Sequence, residues 1–178
     1  IKKKFIDKFN FAFEIGSNDG IFLKEIRKQY KSKVLGIDPS NEPVQIAKKN
    51  KIPTIKKFFN FEMAKKIKKK YGLSDLIIAN NVFAHMDDMQ SIVRGIEYLL
   101  EDRGYFVFEA SYLLDVIKKN LIGTMIHEHI SIHSIFSLKP FLAKYNLQLI
   151  GLKHSNKIQG GAIIGIAIKS KKTIKSPI

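Results

Sequence analysis

Short apolar segments alternate with longer amphipathic segments along most of the chain. The first largely apolar run of strand length begins at residue 11. Six further runs cover residues 33–38, 52–55, 73–79, 105–109, 147–153 and 162–168. Apolar side chains at helical spacing predict helices between them, over residues 21–30, 44–50, 61–71, 89–99, 112–120 and 137–146. This alternation of strands and helices predicts an α/β fold.

The last two predicted strands, residues 147–153 and 162–168, differ from the others because no helix fits between them. We expect them to pair as an antiparallel hairpin on either side of Gly160 and Gly161. The predicted fold class is therefore a three-layer, Rossmann-like α/β fold, with a mostly parallel sheet and a C-terminal antiparallel hairpin. Pro53 marks the third strand as an edge strand. We expect one domain over residues 1–178, with a core of about 11–168, from a longer chain.

The amino-acid composition limits the number of domains, the possible metal ligands and the cellular location to expect. The chain has 178 residues, of which 45% are hydrophobic, which suffices for one domain with a sizeable core. It contains no cysteine, which excludes disulfides and thiolate metal ligands within the chain. No apolar run reaches the roughly 18 residues that span a bilayer, and no signal-peptide pattern opens the sequence. We expect a cytoplasmic, monomeric protein without membrane contact.

The chain is strongly basic, with a formal net charge of +15 from 31 Lys and Arg against 16 Asp and Glu. Such a charge invites a nucleic-acid interpretation. The lysines, however, cluster in residues 2–4, 65–70 and 169–175, without the interleaved aromatic residues of a base-stacking surface. We interpret them as a solvated surface and do not expect nucleic-acid binding.

The first strand ends in a glycine-spaced turn, Glu14-Ile-Gly-Ser-Asn-Asp-Gly20, which leads into the first predicted helix. Gly16 would let the backbone leave the strand tightly and approach a ligand, and Gly20 would let the helix pack close to the sheet. The second strand ends at Asp38, where a βαβ unit places an acceptor for the two hydroxyls of a ribose. The alternative to a ligand-binding loop is that residues 14–20 form only a tight turn between two core elements.

This order of strand, loop, helix and strand-terminal carboxylate resembles the cofactor loop of class I methyltransferases, which use S-adenosylmethionine. The resemblance implies that Phe58 borders the adenine of the cofactor, whereas a place in the core is the alternative for any single Phe. Asn80 and Asn81 suit the amino and carboxylate groups of the methionine part, with a strand-end turn as the alternative. The cofactor-binding residues expected on this basis are Glu14, Gly16, Ser17, Asn18, Gly20, Asp38, Pro39, Phe58, Asn80 and Asn81.

The densest titratable cluster in the sequence is His127-Glu128-His129. It is consistent with a metal site, with a polar loop, or with a general base whose pKa is tuned by the neighbouring carboxylate. A metal site would need further ligands, and only three other histidines remain in the sequence, so we expect no metal. His85, after the fourth strand, is either a buried core imidazole or an acid–base group at the ligand-binding edge.

Three ordered motifs, residues 14–20, 80–85 and 127–129, are similar to those of sugar C-methyltransferases that act on nucleotide-linked deoxysugars. The resemblance covers about residues 11–168 and also includes Pro53-Thr54, Phe58-Phe59 and Gly160-Gly161. It implies a single methyltransferase domain, with S-adenosylmethionine as methyl donor and a nucleotide-linked sugar as acceptor. It also implies that His129 deprotonates the sugar carbon next to a keto group and that Glu128 and His85 assist.

Two positions depart from the pattern of that family. Ile126 stands where the family usually has Tyr, and Gln159 stands where it tends to have His before the two glycines. The family also carries a cysteine-rich zinc module before this domain and a further domain after it. Two alternatives to a sugar C-methyltransferase remain, namely a methyltransferase of another small acceptor, at oxygen or nitrogen, and a noncatalytic nucleotide- or RNA-binding module.

Overall fold

A seven-stranded sheet forms the centre of the computed structural model, which describes residues 8–121, 129–156 and 160–174. The strands are β1 (Phe11–Ile15), β2 (Lys33–Asp38), β3 (Thr54–Lys56), β4 (Ser74–Asn80), β5 (Leu100–Ser111), β6 (Leu147–Ser155) and β7 (Ala162–Lys169). The helices are α1 (Ile21–Tyr30), α2 (Asn41–Lys49), α3 (Phe61–Tyr71), α4 (Met89–Leu99), α5 (Leu113–Lys118) and α6 (Ile135–Ala143), and a 3₁₀ turn covers Phe83–His85. No helix in these described ranges is long and apolar enough to cross a membrane.

The order of the strands in the sheet is β3-β2-β1-β4-β5-β7-β6. The pairs among β1 to β5 are all parallel, whereas β7 runs antiparallel to both of its neighbours, β5 and β6. The predicted fold class is therefore confirmed, including the C-terminal antiparallel hairpin. Strand β3, which follows Pro53, lies at an edge of the sheet, also as predicted.

Two apolar layers hold the helices on the sheet. One layer joins β-strand residues such as Phe13 and Phe106 to α3, α4 and α6. The other joins the opposite face of the strands to Leu23 and Ile26 of α1 and Ala47 of α2. Burial on both faces explains why the central strands read as continuous apolar runs, since neither face of a doubly covered strand meets water.

The predicted bounds of α5, α6 and β5 were wrong. Helix α6 begins at Ile135 rather than at residue 137, because the Ser134 side chain caps it by accepting a hydrogen bond from the Ser137 backbone N–H. The Ser137 hydroxyl in turn accepts the Ser134 backbone N–H, which completes a capping box. The helix then ends at Ala143 with Pro140 inside it. Strand β5 begins at Leu100, five residues early, and α5 covers only Leu113–Lys118.

The carboxyl ends of the parallel strands meet at one edge of the sheet. Register pairs Glu14 with Ile78, and Asn80 with Glu109. Asp38 is the last residue of β2 at the same edge. In parallel α/β sheets ligands bind beyond this edge, so the predicted polar residues are placed where a ligand would lie.

Candidate cofactor and active site

The chain leaves β1 through Gly16, whose φ of 68° lies in the left-handed region that favours glycine. The backbone N–H groups of Gly16 and Ser17 both donate to the carbonyl of Ile37, at 2.8 and 3.1 Å, which fixes the loop against the end of β2. A Cβ atom at Gly16 would lie 2.7 Å from Cγ2 of Val82. Glycine is therefore required here both by the backbone angle and by the close approach of Val82, and Gly16 lines a cavity at the ends of β1 and β4.

Ser17 and Gly20 have mainly structural surroundings. The buried Ser17 hydroxyl lies against Gly36 of β2, where a Cβ atom would clash with it, so Ser17 can offer a ligand only its backbone. Gly20 precedes α1 with a φ of 74°, and a Cβ atom there would lie 3.0 Å from Ile52. The close contacts of Gly20 are with Ile52 and with Ala47 of α2 rather than with a strand of the sheet, so the predicted packing of α1 on the sheet through Gly20 stays a prediction.

Asp38 is buried at the end of β2, and its carboxylate organises the loop. One oxygen accepts the backbone N–H of Asn18 at 3.0 Å, and the other accepts the N–H of Ser40 at 2.8 Å. Each carboxylate oxygen retains capacity to accept a further hydrogen bond. Asp38 therefore both holds the loop and remains able to accept ribose hydroxyls, and Pro39 lies exposed beside it.

Glu14 is the most perturbed carboxyl group at this edge. Its side chain is almost fully buried, with 3% of the residue exposed. Oε1 lies 3.5 Å from the Asn80 side-chain amide, and Oε2 is buried without a hydrogen-bond partner in the part of the chain that the structure describes. Burial raises its pKa to about 8, the Asn80 hydrogen bond opposes this rise, and the negative charges of Asp19 and Asp38 add to it. An unpartnered buried carboxyl oxygen of this kind fits a cationic ligand group.

A cavity of about 350 Å³ lies beside Gly16 on the face covered by α3 and α4. Phe58 lines it and is 77% exposed, so its ring is available to a ligand. Phe59 is instead a core residue, with its ring centroid 5.5 Å from that of Phe13. The cavity also contacts Gly16, Pro39, Val82 and His85. Its size falls in the range of small-molecule sites.

Asn80 and Asn81 follow the end of β4. Asn80 contacts Glu14 and also lines a second cavity, of about 550 Å³, between α1 and the sheet. Asn81 has a φ of 52°, and its backbone N–H donates to the carbonyl of Glu109 at 2.9 Å. Asn81 therefore forms a turn at the end of the strand, which was the alternative to a ligand-binding role. The Asn80 side chain instead faces the Glu14 carboxyl. Burial raises the pKa of Glu109.

The structure brings His85 and His129 together although they are distant in sequence. Their ring centroids lie 4.9 Å apart with the rings at 64°. His85 is exposed and lines the cavity beside Gly16, so it is not a buried core imidazole. Nδ1 of the half-buried His129 is enclosed and has no hydrogen-bond partner among the described residues. The pair presents two imidazoles next to the cavity of about 350 Å³ beside Gly16, which is the candidate cofactor cavity.

Main-chain hydrogen bonds hold this histidine pair in place. The N–H groups of Ile130 and Ser131 donate to the carbonyl of Ala84 at 2.7 and 3.3 Å, which ties the segment after His129 to the turn that carries His85. Further along, Ser131 Oγ lies 3.0 Å from Nε2 of His133. Burial lowers the pKa of His133, which favours its neutral form.

The remaining predicted catalytic residue, Glu128, lies outside the described residues, as does His127 of the same cluster. Within the described ranges, no group of three or more His, Asp or Glu side chains is arranged to hold a metal ion. The absence of a metal stays a prediction, as does the role of Glu128.

Sequence reasoning missed one polar pair at the same edge. Asp115 of α5 accepts a hydrogen bond from Nε2 of His154 of β6. The two residues are 39 positions apart, and neither belongs to a motif, so only the packing of α5 on the hairpin brings them together.

Comparison with known proteins agrees with this architecture. Residues 10–152 match the family model described as a methyltransferase domain. C-methyltransferase NovU of Streptomyces niveus is 32% identical over 158 residues, which cover 89% of this chain. The chain spans only 37% of the length of that relative.

Solved structures show the same fold at low sequence identity. N-methyltransferase NodS from Bradyrhizobium japonicum, in complex with S-adenosyl-L-homocysteine, aligns with a TM-score of 0.66 at 15% identity, over 92% of this chain and 80% of NodS. Magnesium protoporphyrin IX methyltransferase from Synechocystis, with the same bound molecule, gives a TM-score of 0.69 at 16% identity, over 92% of this chain and 75% of the other. From the family match over most of its length, we conclude that this chain belongs to the methyltransferase domain family.

Proposed function

We propose that the chain is the catalytic methyltransferase domain of a C-methyltransferase that acts on a nucleotide-linked keto-deoxysugar, with S-adenosylmethionine as methyl donor. The observation that carries the proposal is the His85–His129 pair beside the candidate cofactor cavity. The 32% identity to a protein named C-methyltransferase supports transfer to carbon. The sugar acceptor is supported by the motif resemblance in the sequence.

The residues at the sheet edge fit the proposed cofactor. Gly16, which lines the cavity and carries no side chain, would let the ligand lie close to the backbone between the two sides of the sheet edge. On one side, Phe58 would border the adenine, with Asp38 accepting the ribose hydroxyls. On the other, the unpartnered Oε2 of Glu14 would accept a hydrogen bond from the ammonium of the methionine part, beside Asn80. S-adenosylmethionine would supply an electrophilic methyl group at this edge.

His129 is the proposed general base. A carbon nucleophile forms when the proton next to a keto group is removed, and an imidazole is suited to this step near neutral pH. The proton passes to the imidazole, the electron pair of the C–H bond moves toward the keto oxygen, and an enolate results. His85, whose ring centroid lies 4.9 Å from that of His129, would assist, and Glu128 would favour the imidazolium that forms.

Exchange of the sugar α-proton with deuterium tests this assignment. The readout is NMR of a keto-sugar nucleotide incubated with the chain, or with the longer protein, in deuterated buffer. We expect His129→Ala to slow exchange by roughly 100-fold or more, the usual contribution of a positioned base. S-adenosylmethionine affinity should stay near the parent value, which shows that the variant is folded. Exchange that survives in His129→Ala but disappears in His85→Ala would reverse the two roles.

A further inference from the structure

The Asp115–His154 pair lies at the ligand-binding edge but has no part in the site described above. Asp115 accepts the hydrogen bond from Nε2 of His154, and Nζ of Lys119 lies 3.3 Å from its other oxygen. The Asp115 side chain is 9% exposed, whereas that of His154 is 41% exposed. Burial raises the pKa of Asp115, but His154 and Lys119 together outweigh this and lower it. A buried, ionised carboxylate therefore orients an exposed imidazole.

Several features hold this pair in one geometry. Gly161 lies against Asp115 so closely that a Cβ atom would clash with the carboxylate. The N–H of Tyr112 donates to the carbonyl of Gly161 at 3.2 Å, and Lys119 Nζ also donates to the carbonyl of Gly160. The Tyr112 ring packs edge-on against the His154 ring, with centroids 5.5 Å apart. With Nε2 engaged, Nδ1 is the ring nitrogen left for a ligand.

Strand register gives the position of His154 relative to the methyl-transfer site. His154 pairs with Ile163, which pairs with Ala110, one residue beyond the level of Glu109 and Asn80. Strand β6 is three strands from β4, which corresponds to about 14 Å at the usual strand spacing. His154 therefore lies along the same edge of the sheet, on the side of the C-terminal hairpin.

We propose that His154, oriented by Asp115, binds the diphosphate group of the acceptor. This inference rests on the proposed function, because a nucleotide-linked sugar places a diphosphate next to the sugar that is methylated. The sequence around the pair is basic, with Lys118, Lys119 and Lys153 close in the chain. A protonated imidazole held through Nε2 offers its Nδ1–H to a phosphate oxygen, which gives a charge-assisted hydrogen bond. His154 is thus a binding residue, and Asp115 is a positioning residue.

Calorimetric titration with uridine 5′-diphosphate, and separately with inorganic diphosphate, tests the proposal. We expect His154→Gln, which can still bond to Asp115, to weaken binding of both probes by about 10-fold or more. His154→Lys, which keeps a cation, should retain binding within about threefold of the parent. Asp115→Asn should weaken binding while His154 remains present. Lys49→Gln, at an exposed position of α2, removes one charge elsewhere and serves as the control.

A parallel titration with S-adenosylmethionine separates the two proposals. Unchanged S-adenosylmethionine affinity together with lost diphosphate binding in His154→Gln supports the role of His154. Diphosphate binding equal to that of the parent in His154→Gln, or lost equally in Lys49→Gln, would overturn it and leave the pair as a structural contact. A parent chain that binds neither diphosphate probe would also overturn it. A parent chain that fails to bind S-adenosylmethionine contradicts the proposed function instead.

Discussion

Replacing Glu14 with Gln should stabilise the free protein and weaken cofactor binding. The pKa of Glu14 is about 8 in the folded protein against an ordinary value of 4.5. Because the folded-state pKa is raised, the stabilising contribution of the protonated group is complete below pH 4.5 and is lost as pH rises to 8. Each pH unit in this window lowers the free energy of unfolding by about 1.4 kcal/mol, which amounts to about 3 kcal/mol at pH 7.

Glu14→Gln keeps the shape of the side chain and its contact with Asn80 but cannot ionise. We therefore expect the variant to exceed the parent in free energy of unfolding by up to about 3 kcal/mol at pH 7, and to match it near pH 4. Urea denaturation across this pH range measures the difference. The control is Glu101→Gln, at an exposed position, which should follow the parent at every pH.

The same substitution should have the opposite effect on S-adenosylmethionine. An ionised Glu14 would hold the ammonium group, so the parent's affinity should rise by up to about tenfold per pH unit between pH 6 and 7.5, below the ordinary pKa of an α-amino group. Glu14→Gln should lose this pH dependence and bind more weakly by about 1.5 to 3 kcal/mol at pH 7.5, the value of a hydrogen bond to a charged group. A variant that binds as tightly as the parent, or whose stability follows the parent's pH profile, would refute this account of Glu14.

Three further predictions concern the loop and the metal. Asp38→Ala should weaken S-adenosylmethionine binding by about 1 to 3 kcal/mol in calorimetry. It should also lower the free energy of unfolding, because the Asn18 and Ser40 N–H groups lose their acceptor. Unchanged affinity would show that Asp38 does not bind the cofactor. Gly16→Ala should cost more stability than Gly72→Ala in urea denaturation. Both glycines have positive φ, but among the described residues a Cβ at Gly16 would meet Val82, whereas a Cβ at Gly72 would have no neighbour within 4 Å. Equal losses would show that the Val82 side chain moves aside. Elemental analysis should find no stoichiometric zinc, and one zinc per chain that disappears in His127→Ala would contradict the acid–base interpretation of the histidine cluster.

The sequence by itself determined the fold class and the position of the loop. The spacing of apolar side chains along a short segment indicates whether the segment is a strand or a helix. This spacing is a local property of the sequence, so the alternation of strands and helices and the C-terminal hairpin could be predicted. Gly16 and Gly20 adopt positive φ, which few other residues tolerate, so their type alone indicated a special turn. The apolar run over residues 33–38 likewise predicted that β2 ends at Asp38.

Only the tertiary structure decided the environment of the polar side chains. The pKa of Glu14 is raised because the packed strands and helices bury its carboxyl group, and no local pattern specifies that burial. The His85–His129 and Asp115–His154 pairs join residues far apart in the chain, and their contacts depend on how the loops after β4 and β5 pack. Local periodicity fixes which residues are buried, whereas the ionisation and partners of a side chain depend on long-range packing.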